Sequence, residues 1–145
     1  MFRKLLVMMV ALSLVGAAQA RDTVTRIALQ DAINMGMQSG QLDGSVRFFL
    51  DGQHTPRIAE RHGEGVSNKK TNGVGKDDVY GCRYVALSAL ISLQQAARQR
   101  GANAVVDIVS YYKKNVVSDP AEVECHAGVI MIGVALRGEY ATLAD

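Results

Sequence analysis

The chain contains two cysteines, Cys82 and Cys125, and their state is the feature that most limits how it can fold. A bridge between them would close a loop of roughly 40 residues, for which chain-entropy estimates give about 4 kcal/mol as an upper figure. It would also require two distant segments to pack side by side. The alternative is two separate buried thiols, and the redox compartment decides between the two.

The first twenty residues predict that compartment. Arg3 and Lys4 precede an uncharged, mostly apolar stretch over residues 5–16. Ala18-Gln19-Ala20 then supplies the small-x-small pattern of a secretory signal, so we expect cleavage after Ala20 and a periplasmic location. The stretch is short for a bilayer span and no cysteine stands at the cleavage point, so we expect no membrane anchor. After export, the cysteine pair is expected to form a disulfide.

The remaining chain has the size and charge of one ordinary domain. Removing residues 1–20 leaves 125 of the 145 residues, and we predict a single domain over 21–145. Two of the 16 basic residues leave with the signal and all 14 acidic residues stay, so this part is formally neutral. A neutral chain lacks the bulk positive charge that attracts nucleic acid, and we expect no such partner.

Apolar spacing predicts strands alternating with two helices. The helices are predicted over residues 29–38 and from Asp77 or Asp78 to about Arg100. The predicted strands are 23–28, 45–50, 58–66, 104–112 and 122–137. Residues 67–76 have the composition of a polar loop, and 140–145 that of a frayed tail. This order predicts an α+β fold with both helices packed on one face of a mainly antiparallel sheet.

The start of the last predicted strand alternates between two faces. Val123, Cys125 and Ala127 share one face, and the other face carries Glu122, Glu124 and His126. Cys82 lies on the inward stripe of the second helix. Both cysteines therefore point toward the core from elements that can pack together, as a bridge requires.

The segment from residue 81 to 136 contains several distinctive runs. They are Cys82 with the helix that follows, Gly101-Ala102-Asn103-Ala104-Val105-Val106, Cys125-His126-Ala127-Gly128 and Gly133-Val134-Ala135-Leu136. Together they resemble the signalling domain of RcsF-like envelope-stress sensors and the YbjQ-like small domains. The resemblance implies an RcsF/YbjQ-like core with a helix-to-strand bridge, Cys82–Cys125. This chain departs from RcsF-like proteins in having no lipid-attachment cysteine, no proline-rich linker and no second cysteine pair.

Four other segments, 42–46, 65–72, 88–94 and 107–113, are similar to a group of small exported proteobacterial proteins. Members of that group often carry the label "excinuclease ATPase subunit". The residues here do not fit that activity. A P-loop needs a glycine five residues before its Gly-Lys pair and a Ser or Thr after it, whereas Gly75-Lys76 has Lys70 and Asp77 at those positions.

Two clusters are candidate binding residues. Glu122, Glu124 and His126 could hold a divalent metal, because two carboxylates and an imidazole are suitable ligands. The alternative is a solvated strand face whose charges discourage aggregation. The predicted loop supplies the second cluster, because loops often carry recognition residues. The candidate partner contacts on it are Lys69, Lys70, Asn72 and Lys76.

Three further groups have a binding interpretation beside a structural one. His54 and His62 could share a site only if the fold brings them together; otherwise they are surface histidines. Met35 and Met37 could bind copper(I) as soft ligands, but only Met37 shares the helix face of Ile33, and the spacing favours core packing instead. A basic patch beside aromatic rings could bind anionic polymers, or it could be a solvated loop. That patch would combine Lys69, Lys70, Lys76, Lys113 and Lys114 with Tyr111 and Tyr112.

No catalytic arrangement emerges from the sequence. Ser88 and Ser92 lie inside a helix without a nucleophile elbow, and bridged cysteines are not nucleophiles. We therefore expect no enzyme and no cofactor. The sequence favours a non-enzymatic periplasmic interaction or envelope-sensor-like domain whose partner is an envelope protein. The alternative is a small-ligand or metal-binding module that uses Glu122, Glu124 and His126.

Overall fold

The computed structural model describes residues 22–144, so the predicted signal over residues 1–20 lies outside the described residues. Two α-helices pack with a curled six-stranded sheet. In chain order the elements are β1 (Asp22–Ala28), α1 (Leu29–Ser39), β2 (Arg47–Leu50), β3 (Ile58–Asn72), α2 (Asp78–Gln99), β4 (Ala104–Ser110), β5 (Glu122–Gly128) and β6 (Met131–Leu143). Within 22–144, no helix is long and apolar enough to cross a membrane.

The sheet is organised around β6. On one side, β6 pairs antiparallel with β3 along nearly its whole length. On the other side it pairs antiparallel with β5 near its start and with β4 toward its end. β1 extends the sheet beyond β5 as an antiparallel neighbour, and β2 extends it beyond β4 as a parallel one. The sheet is therefore mixed and mostly antiparallel, which confirms the predicted α+β class.

Helix α2 covers the inner face of the sheet. Its N-cap, Asp77, accepts a hydrogen bond from the backbone N–H of Tyr80, which satisfies one of the free amides at the helix start. Its buried stripe packs against β5 and β6. The stripe comprises Cys82, Val85, Ala86, Ala89, Leu90, Leu93 and Ala97. The predicted disulfide is confirmed: Cys82 is bonded to Cys125 on β5, with their Cα atoms 5.7 Å apart.

Helix α1 does not bury Met37 beside Ile33, although the core-packing interpretation of their spacing predicts that it does. Leu29, Ala32 and Gly36 are buried, whereas Met37 is exposed. The reason is close packing at Gly36, where an added Cβ would lie 2.6 Å from side-chain atoms of both Leu42 and Leu87. A larger side chain at this position could not approach α2 so closely.

The prediction of one strand over residues 122–137 is wrong. That segment contains β5, a turn at Val129 and Ile130, and the start of β6. The turn residues are apolar but exposed, so hydropathy gives the same signal as a buried strand. The predicted frayed tail is also wrong, because β6 continues to Leu143 with Tyr140 buried in the main core.

The prediction of a polar loop over residues 67–76 is wrong for its first half. β3 continues to Asn72 and stays in register with β6. Most β3 side chains are exposed because β3 is an edge strand. Exposed positions are polar, so the strand has the composition of a loop. The connection to α2 is therefore short, spanning residues 73–77.

Candidate functional site

The face of the sheet opposite the helices, called the outer face from here on, brings together one member of each predicted cluster. His126 on β5 and Lys70 on β3 both lie beside Gly133 on the central strand. Since Gly133 has no side chain, a depression remains between the imidazole and the lysine. An added Cβ there would be in ordinary contact, 3.5 Å from Lys70 Cγ and 3.6 Å from Tyr112 Cε2.

A short 3-10 turn, Tyr112–Lys114, lies over this depression. It is fixed at its start, where the Tyr111 N–H donates to the Ala135 carbonyl at 2.8 Å and Arg137 lies over the Tyr111 ring. Lys113 and Lys114 have φ angles of +50° and +64°, which non-glycine residues adopt only where the surroundings hold them. The turn thereby presents Lys113, whose Nζ lies 5.6 Å from the Tyr112 ring centroid.

The depression opens into a groove of about 460 Å³, the outer-face groove. Tyr112 and His126 form one wall, and their rings stack with centroids 3.7 Å apart. Lys70 and Lys113 line it as well. The turn between β5 and β6 completes the lining. The groove therefore combines an aromatic wall, an apolar turn and two ammonium groups.

The β5–β6 turn exposes three large apolar side chains in succession. Val129 is 65% exposed, Ile130 57% and Met131 43%. Among residues 22–144, neither Lys70 nor Lys113 forms an ion pair. Both the apolar surface and the positive charges are thus left for another molecule to contact.

His126 lies between two carboxylates. Its Nδ1 is 3.8 Å from Asp22 Oδ1 and its Nε2 is 3.7 Å from Glu124 Oε2. Nδ1 is buried and has no hydrogen-bond partner in the described part of the chain. Asp22 also lines the groove, but it lies near His126 and forms no ion pair with either lysine, so neither ammonium group has an acidic partner among the described residues.

The three candidate metal ligands lie on one strand face, as the alternation predicts, but they do not converge. Glu122 lies 3.7 Å from the Nε of Arg26 on β1. Glu124 instead approaches His126. No group of three histidine, cysteine or acidic side chains in residues 22–144 is arranged to hold a metal ion.

The four predicted partner contacts do not form one patch. Lys70 lines the outer-face groove, whereas Lys69 follows buried Ser67 at the two-residue spacing of a strand and therefore faces the helix side. Asn72 lies two residues after Lys70 and therefore on the same face of β3. Lys76 lies in the β3–α2 connection, where its Nζ is 5.8 Å from the centroid of the Tyr84 ring. The predicted basic patch combined lysines from two segments of the chain. One lysine from each segment, Lys70 and Lys113, lines the outer-face groove.

The other sequence candidates have separate surroundings. His62 Nε2 lies 2.7 Å from Thr142 Oγ1, and His54 is exposed in the connection between β2 and β3. Met35 packs against the main core while Met37 is exposed. The Tyr112–His126 stack and the exposed turn were missed, although the successive apolar residues after Gly128 are a visible signal.

The chemistry of the outer-face groove suits an acidic group attached to an apolar one. Ammonium groups bind carboxylates by charge-assisted hydrogen bonds, and the stacked rings and the apolar turn can cover an aliphatic or aromatic side chain. The surface can therefore bind a peptide segment without any reactive group. No protein-family model and no curated protein matches this chain.

Proposed function

We propose that this chain is an exported, non-enzymatic interaction module of the cell envelope. Its outer-face groove binds a segment of a partner protein that carries acidic residues beside an apolar side chain. The observation that carries this proposal is the exposed apolar turn at 129–131 next to the unpaired Lys70 and Lys113. Contiguous exposed apolar side chains are typical of interaction sites, and lysines that form no ion pair within residues 22–144 favour an acidic partner.

Several features support a binding role over a catalytic one. Both cysteines are consumed by the disulfide, so neither provides a thiolate. The Ser88 hydroxyl donates to the backbone carbonyl of Tyr84, which is a structural role within α2. The predicted secretory signal and the resemblance of residues 81–136 to RcsF-like sensor domains support a periplasmic location and an envelope partner.

A protein partner also fits the charge better than a nucleic acid does. The predicted mature chain is formally neutral, and the groove holds two lysines together with Asp22. Nucleic-acid binding depends on several phosphate contacts by basic residues along a surface. A short acidic peptide needs only one or two ammonium groups, and Lys113 and Lys70 supply them.

Selection of displayed peptides against the mature protein tests the proposal. We expect the selected peptides to combine Asp or Glu with a large apolar residue, and to bind more weakly as salt rises. Lys113→Glu and Ile130→Ser should each weaken their binding at least about tenfold, a loss of about 1.4 kcal/mol. Lys114→Glu is the matched control, because it makes the same charge change on the neighbouring residue. Selected peptides without net negative charge, failed enrichment, or full binding to Lys113→Glu would contradict it.

A further inference from the structure

β3 has a free edge. It pairs with β6 on one side, and within residues 22–144 no strand pairs with its other side. From Glu64 to Asn72 its register with β6 is unbroken. Such an edge presents backbone N–H and C=O groups to which another strand can bond. The question is which strand the side chains of β3 favour.

Two unpaired charges of opposite sign flank the centre of this edge. Glu64 and Lys70 lie three residues to either side of Ser67, so they share the outer face. Neither forms an ion pair with another described residue. Glu64 also lies directly opposite Glu139 on β6, whose carboxylate is 2.8 Å from Arg61. Like charges opposite each other are unfavourable, so a cation near Glu64 would be stabilising.

The charges on β3 are complementary to those of β3 in a second copy of the protein, when the two strands run antiparallel. If two copies of β3 pair antiparallel about Ser67, Glu64 of each copy lies opposite Lys70 of the other. This arrangement forms two equivalent ion pairs, because a two-fold axis repeats every contact. It keeps outer-face residues opposite outer-face residues, so the two sheets continue into each other.

The part of α2 beside this edge carries no charge. Five of its residues line a groove of about 420 Å³ along β3 together with Lys69, Lys70 and Thr71. These helix residues are Tyr84, Ser88, Ile91, Ser92 and Gln95. Interface cores are depleted in charged residues, and the two serines allow a close approach of another helix. Pairing about Ser67 would bring this stripe in each copy toward its equivalent.

We infer that the protein forms a two-fold symmetric dimer through antiparallel pairing of its β3 strands. The supporting features are the free edge, the self-complementary Glu64 and Lys70, and the uncharged stripe of α2 beside them. In this dimer Lys70 pairs with Glu64 of the second copy. Lys113 and the apolar turn at 129–131 take no part in this pairing, so in the dimer Lys113 is the ammonium group that remains for an acidic peptide, and the two interactions compete only at Lys70.

Sedimentation velocity of the mature protein and of charge-exchange variants tests the dimer. The wild type should be dimeric and dissociate on dilution. Glu64→Lys and Lys70→Glu should each weaken association at least about tenfold, because each places like charges opposite one another twice. An equimolar mixture of the two single variants should regain dimers, since every pair is again complementary. The double variant should also dimerise with itself, but it should not associate with the wild type.

Lys114→Glu is the charge-matched control and should leave the dimer intact, and circular dichroism of each variant checks that the fold is kept. A wild type that stays monomeric at its highest soluble concentration would refute the dimer. Dimers that survive both single changes, or single variants whose mixture stays monomeric, would refute the β3 interface. Peptide binding is measured separately on Glu64→Lys, which leaves both lysines of the groove unchanged, so failure of the groove does not imitate failure of the dimer.

Discussion

The ring of Tyr112 lies parallel to the imidazole of His126, with centroids 3.7 Å apart and planes within 11° of each other. The stack fixes the connection between β4 and β5 onto the outer face. It also forms the wall of the groove from which Lys113 extends. Local order at this groove therefore depends on a contact between a 3-10 turn and a strand.

Removing the stack should show a coupling between its two members. Tyr112→Leu and His126→Leu, singly and together, should give a coupling free energy of about 0.5–1.5 kcal/mol in urea unfolding, the range for aromatic pairs. Tyr111→Leu with His126→Leu is the control cycle, because Tyr111 packs against Arg137 instead. Strict additivity of the Tyr112 and His126 changes would contradict the stack.

Loss of the disulfide should destabilise the protein substantially. The bridge joins positions 43 residues apart, so the double change Cys82→Ala with Cys125→Ala should lower the free energy of unfolding by about 2–4 kcal/mol. Urea unfolding measures this difference. Wild-type protein unfolded with a reductant should lose a similar amount, whereas the variant should not respond to the reductant. Equal stability of wild type and variant would show that the thiols are not bonded in solution.

Two glycines in paired strands should tolerate alanine to different degrees. At Gly65, an added Cβ would lie 1.9 Å from Tyr140 Oη and 2.3 Å from Cζ of that buried ring. Gly65→Ala should therefore cost about 1–3 kcal/mol, in the range of overpacked cores. Gly133→Ala meets nothing closer than 3.5 Å and should be nearly neutral. Thermal melts of both variants compare the two positions, and equal effects would rule out this packing.

Acid should weaken one contact between the α1–β2 connection and α2. Hydrogen bonds from Ser45 and, less strongly, from Arg98 lower the pKa of Asp43 from 3.8 to about 2. Because the folded-state pKa is depressed, the stabilisation is complete above pH 3.8 and is lost as the pH falls toward 2. The stability difference between wild type and Asp43→Asn should shrink over that window in urea titrations. Ser45→Ala should reduce this dependence without abolishing it, because the backbone N–H at position 45 still donates to Asp43. A difference that is constant with pH would contradict the prediction.

Structure can be predicted from the sequence where a local pattern of residues determines the element. The capped helix α2 with its inward stripe and the alternation of Val123, Cys125 and Ala127 predicted both elements and the disulfide. The pattern failed at Val129 and Ile130, because exposed apolar residues in a turn give the hydropathy of a buried strand. It also failed along β3, because this edge strand has the polar composition of a loop.

The groove itself could not be predicted, because it depends on strand order rather than on sequence distance. Lys70 and His126 become neighbours since β3 and β5 both pair with β6 at Gly133. Tyr112 joins them through a turn in which Lys113 and Lys114 adopt the left-handed backbone conformation. Amino-acid composition gives no indication of this conformation at lysine. The candidates for partner contact and for a metal site therefore look unrelated in the sequence, although one member of each, Lys70 and His126, lines the same groove.

A photoreactive amino acid at position 130 of the full chain, expressed in living cells, tests the groove most directly. The same substitution at Gln38 on α1, on a different surface, is the control. We predict an adduct from position 130 whose crosslinked segment, identified by mass spectrometry, is rich in Asp and Glu. Adding Lys113→Glu should abolish that adduct, while adding Lys114→Glu should not. No adduct from position 130, identical adducts from position 38, or an adduct that survives Lys113→Glu would contradict binding of an acidic partner in this groove.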